Sequence, residues 1–369
     1  MVIGIMTYWQ SNDNYGQLLQ CWALQMFLKK KGHEPFLVRF KRYESSSIKC
    51  KLIKILESLK LFLGITHNRG FNNFRSKMIV NSPIIYSSYN ELKKNPPEAD
   101  AYITGSDQVW NYDLTEDELK AFFLQFGDPG VKRIAYAPSI AHRDYPKELK
   151  NRLKSYLLCF DALSVRELSA ADICNSLGFK AEWVLDPTLL LRKSDYLKLL
   201  SDNVKIKRQQ TNKFIFIYSI NYETIDDIPF DDIWEYSINK GLKVVVTPGS
   251  GYVPAKELFQ GVEYEYSSIF EWIHNIASSE FIVTSSFHGI IFSIIFHKRF
   301  LYTPLKGKYS ESNLRVLELL KKLGLESCVY NTDYAGIDVF LSSEIDWNKV
   351  DSIWDHFYQH SSNYLITNL

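Results

Sequence analysis

Short aliphatic runs alternate along this chain with longer amphipathic or wholly apolar stretches, the pattern of strands buried on both faces beneath helices. Val2 to Thr7 reads as a first strand, Ser11 to Gly16 as a polar loop, Gln17 to Lys31 as a helix and Glu34 to Phe40 as a second strand. Further strands are expected at Asp100 to Thr104, Val131 to Ala137 and Asp161 to Val165, with a helix at Lys147 to Phe160. After a polar, basic stretch from Ser201 to Asn212, read as a linker, the pattern resumes with strands at Phe214 to Tyr218 and Leu242 to Val246 around a helix near Ile233. Helices are expected at Ser268 to Ser278, Arg315 to Leu323 and Trp347 to Leu369. Two open α/β domains with a cleft between them account for this order.

The most informative junction is Thr284-Ser285-Ser286-Phe287-His288-Gly289. It joins the buried-strand pattern Phe281-Ile282-Val283 to Ile290 to Phe296, a helix apolar on nearly every face. Such an elbow falls at the carboxyl end of a sheet, where open α/β folds place ligands. Its hydroxyls, imidazole, glycine and new helix N-terminus are equipped to hold an anion, and equally to cap the helix.

Three other strand ends carry chemistry. Asn12-Asp13-Asn14-Tyr15-Gly16 offers amides and a phenol, or simple turn chemistry. Gly105-Ser106-Asp107-Gln108-Val109-Trp110-Asn111 offers a carboxylate and an amide suited to a sugar, with Trp110 as a core anchor. Arg166 follows the strand ending at Val165, where a guanidinium can grip a phosphate or carboxylate, or pair with Glu167. No Gly-x-Gly-x-x-Gly follows the first strand, so a dinucleotide site has no support.

At 369 residues the chain is long enough for two cores. Its 43 basic and 42 acidic residues nearly cancel, so no whole-molecule field argues for nucleic acid. The 23 Tyr and 23 Phe suit large cores and sugar-stacking surfaces alike. Cys21, Cys50, Cys159, Cys174 and Cys328 form no Cys-x-x-Cys pair, which reads as reduced and cytosolic without a zinc module. No stretch approaches the roughly 20 apolar residues of a membrane helix. Residues 48–65 form a basic amphipathic helix pattern, which lies either on a membrane surface or with its apolar face on the domain.

Taken together, Asn14-Tyr15-Gly16-Gln17-Leu18-Leu19-Gln20, Gly105 to Asn111, Ser164-Val165-Arg166-Glu167, Val184-Leu185-Asp186-Pro187-Thr188 and Ser286-Phe287-His288-Gly289 resemble, in order and spacing, the polysaccharide pyruvyl transferase family. The resemblance implies a GT-B-like fold of two Rossmann-like domains facing a cleft. These would be an acceptor-side domain at 1–200 with an insertion at about 44–75, a donor-side domain at 201–346 and a helix at 347–369 crossing back. It implies transfer of pyruvate from phosphoenolpyruvate onto two sugar hydroxyls as a cyclic ketal, in capsular or other surface polysaccharide synthesis, in the cytoplasm or at the inner face of the membrane.

The family's donor-binding residues carry over onto Arg166 and His288, with Ser285, Ser286 and Gly289 beside them. Arg166, His288 and Asp107 are the expected catalytic set, and Asn14, Tyr15, Gly16, Asp107 and Gln108 the expected acceptor side. Phosphoenolpyruvate is the co-substrate, no other cofactor or metal is called for, and the acceptor is a sugar or a lipid-linked oligosaccharide. Ser285 stands where many members have Asp, and others have Arg at the position of Ser286. Arg299, Lys306, Lys308 or Arg315 would then supply positive charge. A nucleotide-sugar glycosyltransferase and a non-catalytic polysaccharide-assembly protein fit the same architecture.

Overall fold

The computed structural model describes residues 1–41, 68–203, 213–222, 224–249, 259–331, 337 and 344–369. The amphipathic stretch 48–65, with its expected membrane contact, lies outside the described residues, as does 204–212 of the expected linker. Ser201 to Asn203 end a helix, Lys193–Asn203.

The first sheet contains β1 Val2–Met6, β2 Glu34–Phe40, β3 Asn81–Tyr86, β4 Ala101–Thr104, β5 Lys132–Ala135, β6 Ala162–Val165 and β7 Ala181–Trp183. These are parallel in the order β3-β2-β1-β4-β5-β6-β7. The second contains β8 Phe214–Tyr218, β9 Lys243–Val246, β10 Glu263–Tyr264, β11 Phe281–Thr284 and β12 Phe300–Tyr302. They too are parallel, in the order β10-β9-β8-β11-β12. Winding reverses between β1 and β4 in one sheet and between β8 and β11 in the other. Each reversal opens a crevice beyond the carboxyl ends of its strands.

Helix α1, Tyr15–Lys30, starts where the Asn14 side chain accepts from the Gln17 N–H, and Lys29 and Lys30 complement its dipole at the far end. It is buried on most faces because one side packs on the first sheet and the other meets the second half of the chain. Helix α2 spans Phe71–Met78 and α3 Leu168–Ser176. Helix α4, Ile269–Ser278, opens with a capping box of Ser268 and Glu271, and α5, Phe287–Ile295, is buried at every position. Helix α5 therefore begins within the expected elbow: His288 and Gly289 belong to its first turn, not to the loop before it.

The two halves share one continuous apolar cluster, in which Ile3 and Leu24 join Trp272 and Phe292. Tyr15 is its keystone. Its ring stacks on Trp272 at 4.9 Å and its hydroxyl donates to the Ser267 carbonyl at 2.5 Å, so the residue expected to face the acceptor is a core residue between the halves. Helix α6, Asn313–Leu323, adds a polar tie, Glu318 accepting from the backbone N–H groups of Leu168 and Ser169 at the start of α3. The terminal helix α7, Trp347–Asn368, lies against the first half through Trp354 Nε1 to the Leu189 carbonyl and Tyr364 Oη to the Ala135 carbonyl, both 3.1 Å. Among the described residues no helix is long and apolar enough to cross a membrane.

Candidate active site

A cavity of about 630 Å³ lies at the first sheet's switch point and reaches across to the start of α5. The loop after β1 forms one wall. Arg75 of α2 fixes it by donating to the Trp9 and Ser11 carbonyls at 2.7 and 2.8 Å and to the Asn12 side chain at 2.8 Å. The loop after β4 forms the next wall, where Asp107 adopts a left-handed φ of 81° and its Oδ1 accepts from the Gln108 N–H. That conformation is uncommon for a non-glycine residue and marks a backbone held for a purpose beyond chain reversal.

Behind these walls sits a buried charged cluster centred on Asp186. Its Oδ2 accepts from Ser106 Oγ at 2.8 Å and Arg166 Nη1 at 3.1 Å, and its Oδ1 from the Thr188 N–H and hydroxyl. Burial alone would push this carboxyl up, but His288, Arg166 and the Thr188 hydroxyl together hold it well below the usual carboxylate range. Asp186 is therefore an anion, and His288 Nε2 stands 3.7 Å from its Oδ2.

Arg166 is buried, and burial would lower its pKa, yet Glu167, Asp186 and Asp107 hold it above the ordinary value. Its Nε has no hydrogen-bond partner and its guanidinium carbon lies 4.6 Å from the Phe287 ring centre. Arg315, from α6, lies 5.7 Å from the same ring. With the Gln108 amide oxygen turned toward it, both Nη atoms donate there, and Nε is left without a partner. Burial and then the neighbouring Arg166 push Arg315 down to about 10, while Glu167 and Asp107 oppose the shift. Two guanidiniums thus share one aromatic ring, repel one another and line the same cavity.

His288 is positioned from the other side by the first turn of α1. A Cβ on Gly16 would stand 1.9 Å from His288 Nδ1, so only glycine permits this approach. The amino ends of α1 and α5 therefore converge on the imidazole, adding their positive ends to the two arginines. Such a site can hold an anion and move a proton at His288.

The family model described as polysaccharide pyruvyl transferase matches residues 14–304, a span that contains Asp107, Arg166, Asp186 and His288. The chain belongs to the polysaccharide pyruvyl transferase family. No curated protein sequence matches it. Among solved structures, it is similar to the UDP-GlcNAc 2-epimerase of Neisseria meningitidis bound to UDP-GlcNAc, at 12% identity and a TM-score of 0.51 over 98% of this chain and 94% of that one. It also aligns with an alpha-glucosyltransferase in complex with UDP (12% identity, TM-score 0.48, 99% of this chain and 94% of that one). A third alignment is with MurG of Acinetobacter baumannii (8% identity, TM-score 0.46, 99% and 98%). The fold is GT-B-like, two parallel-sheet layers facing a cleft.

Of the residues the pyruvyl transferase motifs single out, Asn14, Asp107, Gln108, Arg166, Ser286 and His288 line the cavity. Gly16 touches His288 from behind. Tyr15 and Gly289 do not line it. Gly289 donates its N–H to Ser286 Oγ and lies so close to Thr284 that a Cβ would stand 2.3 Å from Oγ1. Ser285 faces elsewhere: its hydroxyl accepts from the Ile220 N–H and donates to the Ile220 carbonyl, both 2.8 Å, which staples β11 to the end of β8. Trp110 is core, stacked on Phe123 at 4.6 Å. Of the four candidate cations Arg315 alone reaches this cavity. Lys306 and Lys308 line a second one and Arg299 lines neither. Asp186 was within reach of the sequence, being a carboxylate in Val184 to Thr188 at a strand end, but nothing in the sequence shows that Arg166 folds back onto it.

Proposed function

We propose that this protein transfers pyruvate from phosphoenolpyruvate to two hydroxyls of a sugar, forming a cyclic ketal during surface polysaccharide synthesis. The observation that carries this reading is the pair Arg166 and Arg315 on either side of Phe287, two partly unsatisfied guanidiniums beside a histidine–carboxylate pair. Phosphoenolpyruvate brings a phosphate and a carboxylate, and two forked cations suit two such anionic groups.

The chemistry follows from the donor. Its enol carbon becomes electrophilic once the methylene is protonated, and His288 is the proton donor, with Asp186 beside it to stabilise the imidazolium. An anionic donor entering beside Asp107, Glu167 and Asp186 further favours the protonated imidazole. The first sugar hydroxyl attacks C2 and gives its proton to Asp107. The C2–O bond to phosphate then breaks, and the second hydroxyl attacks C2. Two C–O bonds form and one breaks. One of the two hydroxyl protons balances the new methyl group and the other leaves with phosphate.

In this reading the acceptor sugar lies toward Asn14, Asp107 and Gln108 on the 1–200 half, with Trp9 and Tyr8 for stacking, and the 201–346 half supplies His288 and Arg315. The proposed setting is the cytoplasmic side of the membrane. The test is phosphate release from phosphoenolpyruvate with a panel of free and carrier-linked glycosides, in wild type and in His288→Ala and Arg166→Ala. Release confined to the wild type, with both variants folded, is expected. Turnover near the wild-type level in either variant would remove its assigned role.

A further inference from the structure

The second sheet has its own switch point between β8 and β11, and a second cavity of about 440 Å³ opens close to it. Asn221, in a left-handed conformation with φ 57°, lines both cavities. Ser286 faces the first cavity and Ser285 the second, so the two adjoin at the entry to α5.

The second cavity has a chemistry of its own. Thr303, at the end of β12, is 2% exposed, lines the cavity, and its hydroxyl has no hydrogen-bond partner. A buried hydroxyl in that state is a donor waiting for an acceptor. Lys306 and Lys308 follow on the same loop. Lys306 Nζ donates to the Asp226 carbonyl at 3.1 Å and stands 3.7 Å from Asp227, so one of its three N–H donors remains for another oxygen. Lys308 holds its ammonium 4.8 Å from the Tyr309 ring centre. Ile228, Pro304 and Leu305 supply an apolar wall. Two ammonium groups against one carboxylate, a buried hydroxyl and an adjoining apolar surface suit a phosphoanion that carries an organic group.

We propose that this cavity holds the diphosphate end of the acceptor, a sugar diphosphate ester whose sugar passes Asn221 into the first cavity. This rests on the pyruvyl-transfer reading, in which Arg166 and Arg315 already hold the donor and the lysines are left for a second anion. A nucleoside and a prenyl carrier share the diphosphate chemistry, and the probes below separate them.

Calorimetric titration of the full chain with UDP and with geranyl diphosphate, each with and without saturating phosphoenolpyruvate, tests the site. At least one probe is expected to bind alongside phosphoenolpyruvate. Its affinity should fall at least tenfold in Lys306→Ala/Lys308→Ala and severalfold in Thr303→Val, with phosphoenolpyruvate affinity within twofold of wild type. Tighter UDP binding assigns the nucleotide, and tighter geranyl diphosphate binding the prenyl carrier. Full competition with phosphoenolpyruvate, unchanged probe affinity in the lysine double variant, or no probe binding where phosphoenolpyruvate binds would overturn the proposal. Probe binding through the lysines with no phosphoenolpyruvate binding would instead overturn the pyruvyl-transfer reading and leave a diphosphate site.

Discussion

The imidazole of His288 lies against the backbone of Gly16, where an added methyl group would come within 1.9 Å of Nδ1. This contact joins the amino end of α1 to that of α5, and with them the two halves of the chain. Gly16→Ala must therefore displace the ring or part the helices. Overpacking of this kind costs about 1–3 kcal/mol, and misplacing a catalytic group by an ångström can cost on the order of 100-fold in rate. The expected outcome is a folded variant with a lowered melting temperature and donor turnover reduced by about two orders of magnitude, read by phosphate release. Wild-type turnover would show that His288 need not be held from this side.

Asp186→Asn removes the anion that Arg166 and His288 share while preserving shape. Breaking a buried ion pair leaves an uncompensated charge, at a cost of about 3–5 kcal/mol. The pH dependence has a fixed sign. The folded carboxyl titrates well below its unfolded value, so its stabilisation is fully present above about pH 4, where the unfolded carboxylate is ionised, and is lost as pH falls toward the folded value. Urea unfolding of wild type and variant should differ by a constant amount from pH 7 to 5 and converge at lower pH. A difference that grew as pH fell below 4 would contradict the assignment of Asp186 as a buried anion.

The layered α/β fold was legible because its strands are short aliphatic runs ending in polar loops, and β1, β4, β6, β8 and β11 fall where that pattern places them. The pattern passed over β3, which carries Pro83 and lies at the sheet edge, and β12, whose three residues follow Lys298 and Arg299 with no periodicity to detect. In the site, Asp107, Arg166 and His288 were visible because each sits at a strand end or helix start. Arg315 was one cation among four, and only the packing of α6 against Phe287 separates it from Arg299. Tyr15 failed for the opposite reason: its motif position is exposed to view in the sequence, but α1 begins one turn earlier than its apolar periodicity implies and turns the phenol into the core.

Arg315 holds a charge at a cost, since burial and Arg166 push it down to about 10. Removing it should leave the melting temperature unchanged or higher, whereas losing a charge-assisted contact to the donor, worth about 1.5–3 kcal/mol, should raise the KM for phosphoenolpyruvate roughly 10- to 100-fold. Arg315→Lys should restore part of the affinity, because a point charge replaces a fork. Inorganic phosphate should also stabilise wild type more than Arg315→Ala in a thermal shift measurement. A large loss of stability in Arg315→Ala would make it a structural rather than a ligand-facing residue.

Tyr15→Phe separates the interior role from the acceptor role. The phenol hydroxyl donates to the Ser267 carbonyl inside the core, and burial raises its pKa far above the ordinary phenol range, so it stays neutral and takes no part in proton transfer. Deleting it removes one buried hydrogen bond and leaves the Ser267 carbonyl short of a donor, a loss of about 1–3 kcal/mol. The stacking on Trp272 survives, so the two halves keep their alignment. Denaturant unfolding should report that loss, while the KM values for donor and acceptor stay within about twofold of wild type. A rise in acceptor KM without a change in stability would return Tyr15 to the acceptor side, where its motif alone had placed it.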